Sequence, residues 1–217
     1  MGKKQVDRKT KNENRVHRIL KENEEAKKNS VNLWRRFSAY LIDWLLGTFF
    51  AAFPVVMLNG IALNMSDMTD DLLVVPYPYN YIGGALAILF SFIYFVIIPW
   101  RVWKGETVGK HMMNLKIVKV NGSEVDFKAL VLRQMLGMVL VEGAMFTSSN
   151  YLREMLALAT GEIKIMQYLY YLGIGMTLIS VILVIFTYKN QAIHDRIGET
   201  KVIMNIKNTV PNIRKIV

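Results

Sequence analysis

The sequence predicts an all-α membrane protein: four transmembrane helices with a small cytoplasmic β-hairpin element. Three observations point there. Phe37 to Asn59 holds one charge, Asp43, in 23 residues, while Tyr81 to Trp100 and Gln167 to Tyr188 hold none in 20 and 22. About 20 apolar residues span the hydrocarbon core of a bilayer, and a buried soluble helix rarely needs so many. Lys and Arg concentrate in alternate segments between these runs, the pattern of loops retained in the cytoplasm. Leu115, Ile117 and Val120, followed by Val125 and Phe127, flank Asn121-Gly122, a dipeptide suited to a type I′ hairpin turn.

Composition removes other classes. The 217 residues carry a net charge of +10, are 53% hydrophobic and include no cysteine. Disordered and collagenous chains are excluded, as are disulfide frameworks, thiol nucleophiles and Cys-ligated metal centres. A basic balance alone would allow a nucleic-acid binder; the apolar runs argue for topology instead, with no nucleic-acid partner.

In chain order, residues 1–32 form a basic cytoplasmic tail, read either as a solvated tail or as a short helix on anionic headgroups. The long basic stretch before the first apolar run does not fit a cleavable secretory leader. Residues 33–204 make the membrane domain, with spans at about 37–59, 81–100, 129–146 and 167–188, and residues 205–217 form a second cytoplasmic tail. The third span is the weakest by hydropathy, because Arg133, Gln134 and Glu142 interrupt it. Charge parity supports it. Residues 1–36 sum to +7, 101–128 to +3 and 189–217 to +4, whereas 60–80 sum to −3 and 147–166 to zero. Four crossings place both termini and the loop 101–128 in the cytoplasm of a multi-pass cell-membrane protein.

Between the spans, loop 60–80 carries Asp67, Asp70, Asp71 and Pro76-Tyr77-Pro78-Tyr79. It reads either as a cation-gathering entrance or as a translocated loop that lacks basic residues. Residues 151–159 read as a short interfacial helix. Lys201-Val202-Ile203-Met204 could add a third strand to the hairpin.

Ionisable residues inside the membrane are the first functional candidates, because burying a charge in hydrocarbon needs a partner or a purpose. Asp43 follows Arg36 by seven residues, on nearly the same helix face but about 10 Å deeper. Each therefore needs a partner from another element, and Asp195, just after the last span, is the natural candidate for Arg36. Arg133 and Glu142, nine residues apart, lie half a turn out of phase and cannot pair within one helix. Gln134 and Glu142 lie closer in azimuth. Arg133 could also meet a lipid phosphate.

Trp34-Arg35-Arg36-Phe37-Ser38-Ala39-Tyr40-Leu41-Ile42-Asp43, Gly105 to Lys110 with Leu115 to Val118, and His194-Asp195 with Gly198 to Ile203 follow one another in order. This pattern resembles the RDD family of membrane proteins, named for one arginine and two aspartates. The resemblance covers roughly residues 33–204 and places the family's arginine on Arg36 and its aspartates on Asp43 and Asp195. Arg133 resembles an arginine common in the third span of four-helix members. The resemblance implies architecture more than activity; transport has been suggested, and cation/proton antiport proposed for some members.

Other motifs fail on spacing. Gly105 to Lys110 lacks the length and the Ser/Thr of a phosphate-binding loop and reads as a turn anchored by Trp100 and Trp103. His17, His111 and His194 show no metal-ligand spacing, and His194-Asp195 has no nucleophile to serve. No enzyme activity, cofactor or metal is expected. Two functions follow. In one, a small transporter or exchanger uses Asp43 for a proton or cation, with Arg36 and Asp195 as an inner gate and Arg133, Gln134, Glu142 and His194 as further polar candidates; such a small bundle would act as a homo-oligomer. In the other, the same residues hold together a non-transporting scaffold or assembly partner in a bilayer with anionic inner-leaflet lipids.

Overall fold

A computed structural model describes residues 31–63, 69–187 and 189–205. Nearly all of the two tails, Asp67 and Tyr188 lie outside the described residues. The chain is mostly helical. Helix α1, Leu33–Leu63, leads to a 3₁₀ turn at Leu72–Val74 and then to α2, Tyr79–Phe92, which continues as a π-helix over Ile93–Val102. A short helix α3, Val108–Met112, precedes strand β1, Leu115–Lys119. Helix α4, Phe127–Val131, widens into a π-helix over Leu132–Val141, and α5 spans Thr147–Thr160. The long α6, Lys164–Phe186, is followed by α7, Ile193–Ile197, and β2, Thr200–Met204.

Helix α1 buries one stripe at every fourth residue: Ala39, Asp43, Gly47, Ala51, Val55 and Asn59. Residues at i and i+4 share a helix face, so this row is the seam along which α2 packs. Small side chains there let the helices approach closely, the usual solution where lipid removes a hydrophobic drive between helices. The rest of α1 is exposed and apolar, with Phe37, Leu45, Phe49, Phe53 and Ile61 facing outward.

Three helices are long and apolar enough to cross a membrane: Leu33–Ala62, Tyr79–Val102 and Lys164–Phe186. The expected third span differs. Its helix begins at Phe127, capped by the Asp126 carboxylate on the Ala129 N–H, and stops at Val141 instead of running to 146. The Glu142 N–H still reaches back to Gly137 O at 2.9 Å, and the chain then breaks before α5. Side chains from three helices fill the carbonyls at this break. Ser149 Oγ donates to Val139 O, Thr177 Oγ1 to Glu142 O, Arg153 Nη1 to Gly143 O and Trp44 Nε1 to Met145 O, all at 2.7–2.9 Å. A helix can stop inside apolar surroundings only where such donors take over its orphan carbonyls. The short interfacial helix expected over 151–159 is longer, running from Thr147 to Thr160 as α5. It buries Ser148, Ser149, Tyr151, Arg153, Glu154 and Ala157 against its neighbours.

The small sheet also departs from expectation. β1 pairs antiparallel with β2, from Leu115 opposite Met204 to Lys119 opposite Thr200. The expected hairpin contracts to a single bridge between Val118 and Glu124. Of Val120, Asn121 and Gly122 only Gly122 is left-handed, with φ 87°, and the bonds Gly122 N–H to Lys119 O and Lys119 N–H to Ser123 O close this loop. Phe127 is drawn into α4 because Asp126 caps that helix, so the second half of the hairpin has no strand to make. β2 takes its place. Leu115 and Val202 pack with Val31 and Ala39 of the α1 end, and Ile117 packs with Val96, Val125, Ala129 and Leu130. Truncating Ile117, fully buried, to Ala is expected to cost about 2–5 kcal/mol, read as a fall in the thermal unfolding midpoint of the purified protein.

Candidate functional site

Two buried charge clusters sit at the sheet end of the bundle. The first is built on Asp195, placed in the first turn of α7 and fully buried. Its Oδ2 accepts Arg36 Nη2 at 2.6 Å and the Ala192 N–H at 3.0 Å, while its Oδ1 accepts Arg133 Nη1. The Arg133 group also donates to Thr200 Oγ1 at 2.9 Å, and Arg36 Nη1 donates to the Asn190 carbonyl. Asn190 has φ 46°, a left-handed turn that Asn tolerates, and it folds the chain back after α6. Backbone approach is close here: a Cβ on Gly137 would lie 2.7 Å from His194 Cα.

Next to this triad, Glu142 accepts the His194 N–H at 2.7 Å and Ser180 Oγ at 2.8 Å, and its Oε2 lies 2.9 Å from His194 Nδ1. Arg36, Arg133, Asp195 and Glu142 thus balance in charge. Burial opposes ionisation of Asp195, but the Arg133 and Arg36 charges beside it, helped by His194, outweigh burial and hold the carboxyl well below its ordinary range.

The second cluster surrounds Asp43. Its Oδ1 accepts the Tyr94 hydroxyl at 3.0 Å and the Gly109 N–H at 2.8 Å, and its Oδ2 accepts Thr107 Oγ1 at 2.5 Å and Lys110 Nζ at 2.9 Å. A carboxylate has about four lone-pair positions, and protein donors occupy all of them. The residue is 2% exposed. Gly109 is required sterically, since a Cβ there would lie 2.3 Å from the Ala39 carbonyl.

Of the residues singled out by sequence, Arg36 meets Asp195 as expected, and Arg133 joins them. Arg133 is buried on a protein carboxylate, where the sequence offered a lipid phosphate, because Asp195 at the start of α7 supplies its counter-charge. Glu142 and His194 pair with each other. Gln134 is buried, and neither of its amide atoms has a hydrogen-bond partner among the described residues. Thr107, Lys110 and Tyr94 were not among the candidates. The turn 105–110 reads as an anchor by spacing, and nothing in its sequence announces that it clasps an aspartate 64 residues earlier. Trp103 stacks on His111 with ring centroids 4.6 Å apart, and Trp100 packs on Phe127. Among the described residues no group of three His, Asp or Glu is arranged to hold a metal ion.

The arrangement makes Asp195 a keystone for two guanidiniums. Replacing it with Ala leaves both buried without a carboxylate, and the expected loss is about 3–5 kcal/mol, measured as loss of folded protein in thermal or denaturant unfolding. A carboxylate whose folded pKa is lowered stabilises the fold at every pH above its unfolded value, near 3.9, and that stabilisation is lost as pH falls toward the folded value. The midpoint difference between the wild type and Asp195→Asn is therefore expected to stay constant from about pH 8 to pH 5 and to shrink only below about pH 4.

No curated protein and no solved structure matches the chain. Residues 31–199, which contain both clusters except Thr200, match the RDD family, and the chain belongs to that family.

Proposed function

We propose that this RDD-family protein is a non-transporting membrane scaffold, with its Arg36, Asp43 and Asp195 acting as structural fasteners and no catalytic role. One observation carries the reading. All four acceptor positions of Asp43 are filled by Tyr94, Thr107, Gly109 and Lys110, so a proton or cation could bind only by displacing protein donors. Asp195 is fully buried and accepts from Arg36, Arg133 and the Ala192 N–H.

The proposed topology has four crossings. Residues 127–160 supply the third as a broken helix: Thr147 meets Thr48 halfway along α1, and farther on Glu154 accepts the Leu72 N–H at the far end of the bundle. The basic excess of residues 1–36, 101–128 and 189–217 supports a cytoplasmic sheet end. Trp34 is 75% exposed beside Arg35, and Arg101 lies 4.0 Å over the Trp100 ring, a belt suited to anionic headgroups of the inner leaflet. The lipid-facing side of α6, with Leu172, Ile179, Ile182 and Phe186 exposed, could equally receive a second copy or an assembly partner.

The test is flux. Full-length protein in proteoliposomes, under Na⁺, K⁺ and H⁺ gradients, is expected to leak no faster than protein-free vesicles, and Asp43→Asn is expected to lower the unfolding midpoint without altering flux. Ion movement that depends on Asp43 would overturn the scaffold in favour of an exchanger.

A further inference from the structure

In an antiparallel pair, residues that exchange hydrogen bonds across the ladder alternate with residues that turn their N–H and C=O groups away from it. The bonds Val120 N–H to Glu199 O and Asn205 N–H to Asn114 O fix that alternation in the small sheet. Lys116 opposite Ile203 and Val118 opposite Lys201 are therefore the bonded pairs, and Thr200, Val202 and Met204 of β2 point outward, as do Leu115, Ile117 and Lys119 of β1. The β1 edge is closed. Ile117 N–H donates to Gly105 O at 2.7 Å, and Lys119 N–H to Ser123 O at 3.0 Å. On the β2 edge Gln191 Nε2 takes the Thr200 carbonyl, but the N–H and C=O groups of Val202 and Met204 have no hydrogen-bond partner among the described residues.

An unpaired strand edge is a template for another extended backbone, and a sheet of two strands gains most from a third. The side chains beside this edge select the newcomer by charge. Val202 and Met204 pack with Leu115 and Ala39, so alternation puts Lys201 and Ile203 on the opposite face, beside Lys116. Lys201 has no carboxylate partner among the described residues, and Lys116 reaches Glu124 at 3.6 Å. A second copy joined through the same edge would bring two such basic strands together, from segments 189–217 that each sum to +4. An acidic strand meets the same lysines favourably.

We infer that the open edge of β2 docks an extended acidic segment of a partner protein by antiparallel strand addition, with apolar residues toward α1 and carboxylates toward Lys201 and Lys116. This rests on the scaffold reading and deepens it, by naming where an assembly partner is held. Main-chain bonds to Val202 and Met204 supply affinity, and the two-residue alternation of side chains sets the register.

The test uses the full chain in phosphatidylcholine nanodiscs and a fluorescent peptide of alternating valine and glutamate, read by anisotropy. Saturable binding is expected. N-methylation of the valines, whose N–H groups face β2 in an antiparallel pair, is expected to weaken binding by about tenfold or more, whereas N-methylation of the glutamates, whose N–H groups face away, is expected to leave it unchanged. Lysine in place of glutamate is expected to weaken it by roughly fivefold or more. Met204→Pro removes an outward N–H and no ladder bond, so it is expected to fold and to lose about as much affinity as the valine-methylated peptide. In residue-resolved hydrogen exchange of the free protein, Val202 and Met204 are expected to exchange faster than the bonded Lys201 and Ile203, and to slow when peptide is added.

No saturable binding, or equal binding of the two N-methylated peptides, would overturn the inference. So would slow exchange at Val202 and Met204 without peptide: independent of protein concentration, it would assign the edge to this chain's own tail, and growing with concentration, to a second copy. Ion flux is a separate readout. Peptide binding by a protein that moves ions would overturn the scaffold and leave the docking edge, and absent binding without flux would do the reverse.

Discussion

Two guanidiniums, Arg36 and Arg133, are drawn to one fully buried carboxylate, Asp195, and the sheet end of the protein is organised by that attraction. Burial of an arginine without a counter-charge is prohibitively costly in apolar surroundings, so wherever Arg36 and Arg133 sit, a carboxylate must follow. The backbone obeys. After α6 the chain reverses at Asn190, and α7 is pressed so close against the π-helical segment that Gly137 and Gly198 are the residues at the contact. Glu142 supplies the fourth charge and ties His194 and Ser180 to the end of the broken helix.

The Asp43 cluster completes a closed circuit. From one face of α1, Asp43 holds the segment 107–110 that leads into β1, and Arg36, two turns away, holds the segment 190–195 that leads into β2. The two strands then pair with each other. Helix, clasp, strand, strand and clasp form a ring, so loss of either clasp loosens both sides of the sheet. This explains why one short helical stretch carries two of the signature charges at a spacing that forbids them from meeting directly.

Much of this was legible in the sequence, for identifiable reasons. The long apolar runs revealed α1, α2 and α6 because length against bilayer thickness is a one-dimensional property. Arg36 and Asp195 could be matched because both flank spans at the same end. Asp43 stood out as an ion in an apolar run, but its donors did not, since a Thr, a Lys and a backbone N–H become a binding set only when a turn is folded around them. The break after Val141 was invisible for the same reason: its carbonyls are satisfied by Ser149, Arg153, Thr177 and Trp44, which come from three helices. Asn121-Gly122 marked a real turn, yet the strand after it lost to helix capping by Asp126 and to pairing with β2.

The distance along the chain between Arg133 and Asp195 has a consequence for biosynthesis. A ribosome makes the two arginines long before it makes their carboxylate, and 62 residues separate the second from Asp195. Until α6 has been inserted and α7 has turned back, the segment around Arg133 carries a charge that membrane does not favour. Packing of that segment against α7 is therefore completed only after Asp195 has been made.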